Sequence, residues 1–267
     1  MIVQFRNLLV GIEKNSSPSV FADGLLYFTV IMKNLSKIIN YLWEFPCPLC
    51  DCDSPQTHAY NSFCLECIKK LPLLHGKRCS GCGGELDGVL DLCSHCLKMP
   101  PRPWSNAMSV MKMEGLAEKA IYGLKFSGAS VMARSIAEIA APLLQQGDFL
   151  TIDCLVPVPL HWTRYLKRSY NQSALLAKML SRKLNKPCCN LLKRNRATTR
   201  QATLSREERL KNLKGAFAAK NPRAVKGKTI LLIDDVLTTG ATLHACAEAL
   251  QKAGAARILV FTVARRY

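Results

Sequence analysis

The sequence predicts an α/β fold, a doubly wound parallel sheet, with a small N-terminal double zinc-ribbon module ahead of it. Three observations predict this. From residue 104 onward, strand-like runs alternate with helix-like runs, the order that builds a parallel sheet covered by helices. One run, Thr229 to Ile233, consists only of β-branched residues and Leu, as a strand buried on both faces requires. Nine of the thirteen cysteines crowd between Cys47 and Cys96, mostly in C-x-x-C pairs.

Residues 1–31 read as a loose terminal tail or a mis-assigned start, because Gly11, Asn15 to Pro18 and Gly24 break the apolar periodicity, and the start codon is either Met1 or Met32. Leu35, Ile38, Ile39, Leu42 and Trp43 recur at helical spacing and predict a helix leading into the first cysteine pair. Residues 32–103 therefore form the helix plus the zinc module, closed by the proline-rich stretch Met99 to Pro103. In residues 104–267 the expected elements are a strand Ala107 to Met113, helices Leu116 to Phe126 and Val131 to Leu144, and a strand Thr151 to Pro157. A helix capped by Asn171 follows to Leu184, then a basic helix from a Ser205/Glu208 capping box to Leu213. A strand Lys228 to Asp234, a helix Thr242 to Ala253 stopped by Gly254, and a strand Arg257 to Val263 complete the chain.

The paired cysteines are Cys47 and Cys50, Cys64 and Cys67, Cys79 and Cys82, and Cys93 and Cys96. A C-x-x-C turn brings two thiolates to about 2.3 Å from one tetrahedral ion, so the pairs supply one or two structural Zn²⁺ sites. Consecutive and interleaved pairings use the same ligands. A disulfide framework is the competing reading, but it needs export, and the apolar stretch Val20 to Met32 is interrupted by Asp23 and too short to span a bilayer. Cys52 is a spare thiol or a competing ligand. His58, His75 and His95 are expected on loops, since the thiolates already satisfy the ions.

Hydrophobic residues make up 49% and charged residues 21%, which excludes a wholly disordered chain. The net charge of +18 is concentrated: residues 161–228 hold nineteen basic side chains against Glu207 and Glu208. Such a segment calls for a polyanion, either nucleic acid or a phosphorylated small molecule.

The chemistry-bearing segment is Thr229 to Leu243. A buried strand delivers Asp234 and Asp235 at its carboxyl end, where ligands bind in open α/β sheets. Thr238, Thr239, Gly240 and Thr242 then open a helix whose free N–H groups favour a phosphate, while the carboxylates accept hydrogen bonds from vicinal hydroxyls. A phosphorylated sugar fits both ends. A strand-turn-helix with capping threonines and no ligand needs one hydroxyl and leaves the double acid unexplained.

Two acids, an apolar pair and Thr-Thr-Gly-Ala-Thr resemble the phosphoribosyl pyrophosphate (PRPP) motif of the type I phosphoribosyltransferases. Four C-x-x-C pairs, Tyr122 to Phe126, Val156 to Leu160, Arg168 to Gln172 and the PRPP motif, in that order, resemble the competence protein F family from about Ile39 to the C-terminus. Ser169 departs from the family, which more often has Gly there. The resemblance implies a sheet of the type I phosphoribosyltransferase kind. Asp234 and Asp235 would contact the ribose hydroxyls, directly or through Mg²⁺ and water, and act as the catalytic pair. Val236, Leu237, Thr238, Thr239, Gly240, Ala241 and Thr242 would line the PRPP site, with Thr238 to Thr242 on the 5′-phosphate.

Arg164, Lys167 and Arg168 follow the Val156 to Leu160 segment and supply positive charge for a pyrophosphate leaving group. Arg194 to Arg209 would form a flap. Two functions fit. In one, the chain binds PRPP and single-stranded DNA and supports DNA uptake in natural transformation, with Lys193, Arg194, Arg196, Arg200, Arg206 and Arg209 on the phosphate backbone. Its partners would then include DNA-uptake proteins such as a competence helicase or recombination mediator, and its place would be cytoplasmic or peripheral at the inner membrane, without a membrane span. In the other, it is a phosphoribosyltransferase moving ribose 5-phosphate from PRPP to a nucleobase or amine. No base-stacking element is legible for either, since only Tyr170 and Phe217 interleave with the basic residues.

Overall fold

The computed structural model describes residues 46–52, 63–86, 88–126, 129–160, 169–195 and 212–267. The expected helix at Leu35 to Trp43, His58 and the Ser205/Glu208 capping box lie outside these residues.

Helices α1 (Leu65–Lys70) and α2 (Ser94–Leu97) each begin directly after a cysteine of the N-terminal module. The α/β part runs β1 (Asn106–Lys112), α3 (Leu116–Lys125), α4 (Ala129–Leu144), a 3₁₀ turn (Gly147–Thr151), β2 (Cys154–Pro157) and α5 (Gln172–Leu184). It continues through β3 (Leu192–Arg194), β4 (Phe217–Ala219), α6 (Pro222–Val225), β5 (Thr229–Leu237), α7 (Ala241–Lys252) and β6 (Arg257–Arg265).

Four strands form one parallel sheet in the order β1, β6, β5, β2. Side chains alternate across it as the pleat dictates. Leu231 and Ile233 of β5, with Leu259 and Phe261 of β6, join a core with α3, α4 and α5. Ile230 and Leu232, with Ile258 and Val260, join a second core with α7 on the opposite face. Helices thus cover both faces, as the uniformly apolar strand predicted.

The cysteine module is seated on both cores. Cys47, Cys64 and Cys67 belong to the first, and Cys79, Cys82 and Cys96 to the second. Lys112 N–H donates to Pro72 O at 2.9 Å and Leu74 N–H to Val110 O at 2.9 Å, so the segment between the two cysteine groups lies along the outer edge of β1.

Two expectations needed correction. The strand expected from Thr151 starts only at Cys154, because Gly147, at φ +51°, opens a 3₁₀ turn that uses residues up to Thr151. The strand expected to end at Asp234 runs on to Leu237, paired with β6 as far as Arg265. The short antiparallel pair β3 and β4, joined at Leu192 to Ala219 and Arg194 to Phe217, was not foreseen.

Candidate functional site

Because β5 continues through them, Asp234 and Asp235 point to opposite sides of the strand end and meet the N-terminus of α5. Ser173 Oγ donates to Asp234 Oδ1 at 3.0 Å, and the Asp235 N–H donates to the same oxygen at 2.9 Å. Asp235 receives Lys125 Nζ at 2.9 Å, Gln172 Nε2 at 3.4 Å and the Val236 N–H at 2.8 Å. Gln172, Ser173 and Asp235 are all buried.

Asp234 retains some solvent contact as a residue, but its carboxyl is closely surrounded by protein. That desolvation, and then the charge of Asp235, pushes its pKa up to about 7. Cys246, behind it, is buried and its thiol is raised well above the ordinary range by burial, so it is an inert core side chain.

The placement of α5 follows from its cap. Asn171 Oδ1 accepts from the Ser173 and Ala174 N–H groups at 3.0 and 3.4 Å, while its Nδ2 donates to Val158 O at 2.9 Å. Val158 N–H in turn donates to Ile233 O at 2.9 Å, so the cap ties α5 to β5 one residue before the acids. Tyr170 Oη donates to Leu124 O at 3.0 Å, next to Lys125. Ser169 sits at φ +60°, in the left-handed region that favours Gly.

The loop after β5 is built for close approach. Gly240 caps α7 at φ +77° and contributes no side-chain bond, so the first N–H groups of α7 have no side-chain cap there; only Thr239 Oγ1 reaches Ala241 N, at 3.4 Å. Thr238 is exposed, Thr239 and Thr242 are half-buried, and Gly240 and Ala241 are buried. Leu237 is a core side chain and Val236 packs against the other core, so these residues reach a ligand only through their backbone.

The cysteines fall into two groups, Cys47, Cys50, Cys64 and Cys67, and Cys79, Cys82, Cys93 and Cys96, each with all ligand atoms within 4.8 Å of one another. The pairing is consecutive. Cys50 Sγ to Cys64 Sγ is 3.7 Å and Cys82 Sγ to Cys93 Sγ is 3.8 Å. A tetrahedron of thiolates about 2.3 Å from zinc has edges of about 3.8 Å, so both groups fit the ion. Cys52 Sγ lies 2.9 Å from Cys50 Sγ, on the exposed side of the first group.

Of the residues expected to face a polyanion, Arg164, Lys167, Arg168, Arg196, Arg200, Arg206 and Arg209 lie outside the described residues. Lys193 is exposed on β3. Arg194 is half-buried, its guanidinium 5.3 Å from the Phe217 ring. Of the two aromatic residues singled out by sequence, Phe217 is buried, and Tyr170 is half-buried with its hydroxyl donated to Leu124 O. An exposed aromatic pair is instead Tyr122 on α3 and Phe126, the C-cap residue of α3, with ring centroids 4.7 Å apart. Their i, i+4 spacing flanking Lys125 was the available signal.

Among known proteins, the phosphoribosyl transferase domain family matches residues 170–267. Competence protein F of Haemophilus influenzae is 32% identical over 213 residues, covering 78% of this chain and 92% of that protein. DNA utilization protein YhgH of Escherichia coli K12 is 35% identical over 180 residues, covering 65% and 77%. Competence protein ComFC of Bacillus subtilis is 29% identical over 234 residues, covering 82% and 94%.

Proposed function

The chain belongs to the competence protein F family, and from that premise we propose that it binds PRPP at the end of β5, binds single-stranded DNA, and supports DNA uptake. The observation that carries the PRPP reading is the junction of two unlike surfaces. An acid pair, served by Ser173, Gln172 and Lys125, adjoins a loop that opens α7 with N–H groups. A ribose 5-phosphate presents the matching pair, a vicinal diol to donate to carboxylates and a dianion to accept from N–H groups.

Asp234 and Asp235 hold and orient the ribose, and their charge favours a sugar that develops positive character. Lys125 balances Asp235 until a ligand arrives. Mg²⁺, when bound with PRPP, would neutralise the pyrophosphate and share these carboxylates. Arg164, Lys167 and Arg168 are proposed for the pyrophosphate end. The test is calorimetry with PRPP and Mg²⁺: Asp234→Ala with Asp235→Ala loses measurable binding, and an unchanged affinity overturns the assignment.

For DNA, the support is the basic segment together with the exposed Tyr122 and Phe126 pair beside Lys125. One stacked base contributes about 1–3 kcal/mol. Tyr122→Ala should therefore weaken binding of a labelled single strand about tenfold, and affinity should fall steeply with salt. Salt-insensitive binding, or none, leaves only the small-molecule reading. In the alternative, transferase reading, pyrophosphate is released from PRPP when the right nucleobase or amine is supplied, which a panel of acceptors detects.

A further inference from the structure

Two arginines that no motif singles out grip the loop after β5 by its carbonyls. Arg102 Nη1 donates to Thr239 O at 3.2 Å. Arg265 Nη1 donates to Leu237 O at 3.2 Å and to Thr238 O at 2.7 Å. Three consecutive carbonyls are thus held by two cations. In a trans peptide the C=O and the following N–H point to opposite sides. Holding these carbonyls therefore turns the N–H groups of Thr238, Thr239 and Gly240 to the other side, and none of those three donates a hydrogen bond among the described residues. Successive unpaired N–H groups form an anion-binding concavity. Gly240 answers the same constraint, since a Cβ there would meet Arg102 Nη1 at 2.8 Å.

Both arginines are seated on the second cysteine group. Arg102 lies 5.1 Å from the ring of Trp104, whose Nε1 donates to Gly81 O, inside the Cys79 to Cys82 turn, at 3.2 Å. Arg265 lies 5.1 Å from the ring of Tyr267, and Tyr267 Oη is packed so close to Gly84 that a Cβ there would meet it at 2.5 Å. Ser109 Oγ, on β1, also donates to Cys82 O at 3.0 Å. Arg265 is fully buried, and the Nε and Nη2 of Arg102 are buried without a hydrogen bond among the described residues. A buried guanidinium with donors unspent is costly, so its position is imposed by its surroundings.

We propose that Arg102 and Arg265 are positioning residues of the phosphate loop, and that the second zinc ribbon is the seat that sets them, so that the ribbon's Cys79 to Gly84 turn and the phosphate site form one mechanical unit. The proposal rests on the PRPP reading of this loop. The cations act twice: they orient the N–H groups, and their charge behind the loop adds to the attraction for a phosphate.

The experiment compares the zinc-loaded full chain with Arg102→Ala, Arg102→Lys, Trp104→Phe and the Arg102→Ala/Trp104→Phe double variant. PRPP affinity is read by calorimetry with Mg²⁺, beside Tm, zinc content and single-strand affinity. Arg102→Ala should bind PRPP about tenfold more weakly, the worth of one charge-assisted hydrogen bond, while zinc content and single-strand affinity stay at the wild-type level. Arg102→Lys should recover part of the loss. Trp104→Phe keeps the ring and loses the bond to Gly81, and its effect should not add to that of Arg102→Ala, because both act through one contact. If Arg102→Ala does not fold, Arg102→Lys against wild type carries the comparison, with a partial loss expected and wild-type affinity overturning the role of Arg102. Wild-type PRPP binding with an unaffected Arg102→Ala overturns the proposal alone, and strictly additive effects overturn its link to the ribbon. A wild-type chain that does not bind PRPP overturns the reading beneath it, and the proposal with it.

Discussion

Asp234 stands near its own midpoint at neutral pH, because protein atoms replace the water that would solvate its charge and Asp235 lies next to it. In the unfolded chain it titrates near 3.8 and in the folded chain near 7. Between those values the folded chain keeps a proton that the unfolded chain has released. Its contribution to stability therefore falls as pH rises from about 4 to about 7 and stays low above that. Asp234→Asn removes this slope. Its thermal midpoint should exceed that of the wild type at about pH 8, and the two should converge at about pH 4. A wild-type excess at the higher pH would show that the carboxylate is well solvated. The double acid was legible as a chemical feature, whereas Lys125, Gln172 and Ser173 were not legible as its partners: they are 61 or more residues from it in sequence.

Helix α5 shows what one cap does for an element. Asn171 satisfies two N–H groups of the first turn and also fastens that turn to Val158, which hangs on β5. Asn171→Ala should lower stability by about 1 kcal/mol through the lost cap, read by denaturant unfolding. It should also weaken PRPP binding, because Gln172 and Ser173 reach the acids from the same turn. Loss of stability with full affinity would separate the cap from the site. The Asn171 cap and the helices of α3, α4 and α7 were legible because amphipathic periodicity and capping residues act within a few positions. The β3 and β4 pair was not, since strands of three residues have no readable period; α7 lies against both.

At the scale of the molecule, the two cysteine groups lie on opposite faces of one sheet, each contributing buried side chains to the core on its side. Lys119 Nζ also donates to Leu49 O in the first cysteine turn, joining that group to α3. Zinc held by these groups would couple metal binding to folding throughout. Stripping zinc with a strong chelator should lower the midpoint of the whole α/β part in one cooperative transition, followed by near-UV dichroism. A separate early transition, with the main one unmoved, would show an independent ribbon module. Among the described residues no helix is long and apolar enough to cross a membrane.

The sequence by itself determined the parallel α/β class, the four C-x-x-C cysteine pairs and the acid-rich strand end with its threonine loop. Each is a short-range pattern: alternation of elements, a C-x-x-C turn, or a run of residues along one strand. Only the tertiary structure decided that the cysteines pair consecutively, that Lys125 and Ser173 serve the acids, and that Arg102 and Arg265 hold the loop from behind. Arg102 lies 137 residues from its carbonyl partner. Contacts of that reach depend on how the strands are ordered in the sheet, where β1, the first strand, pairs with β6, the last of the described strands.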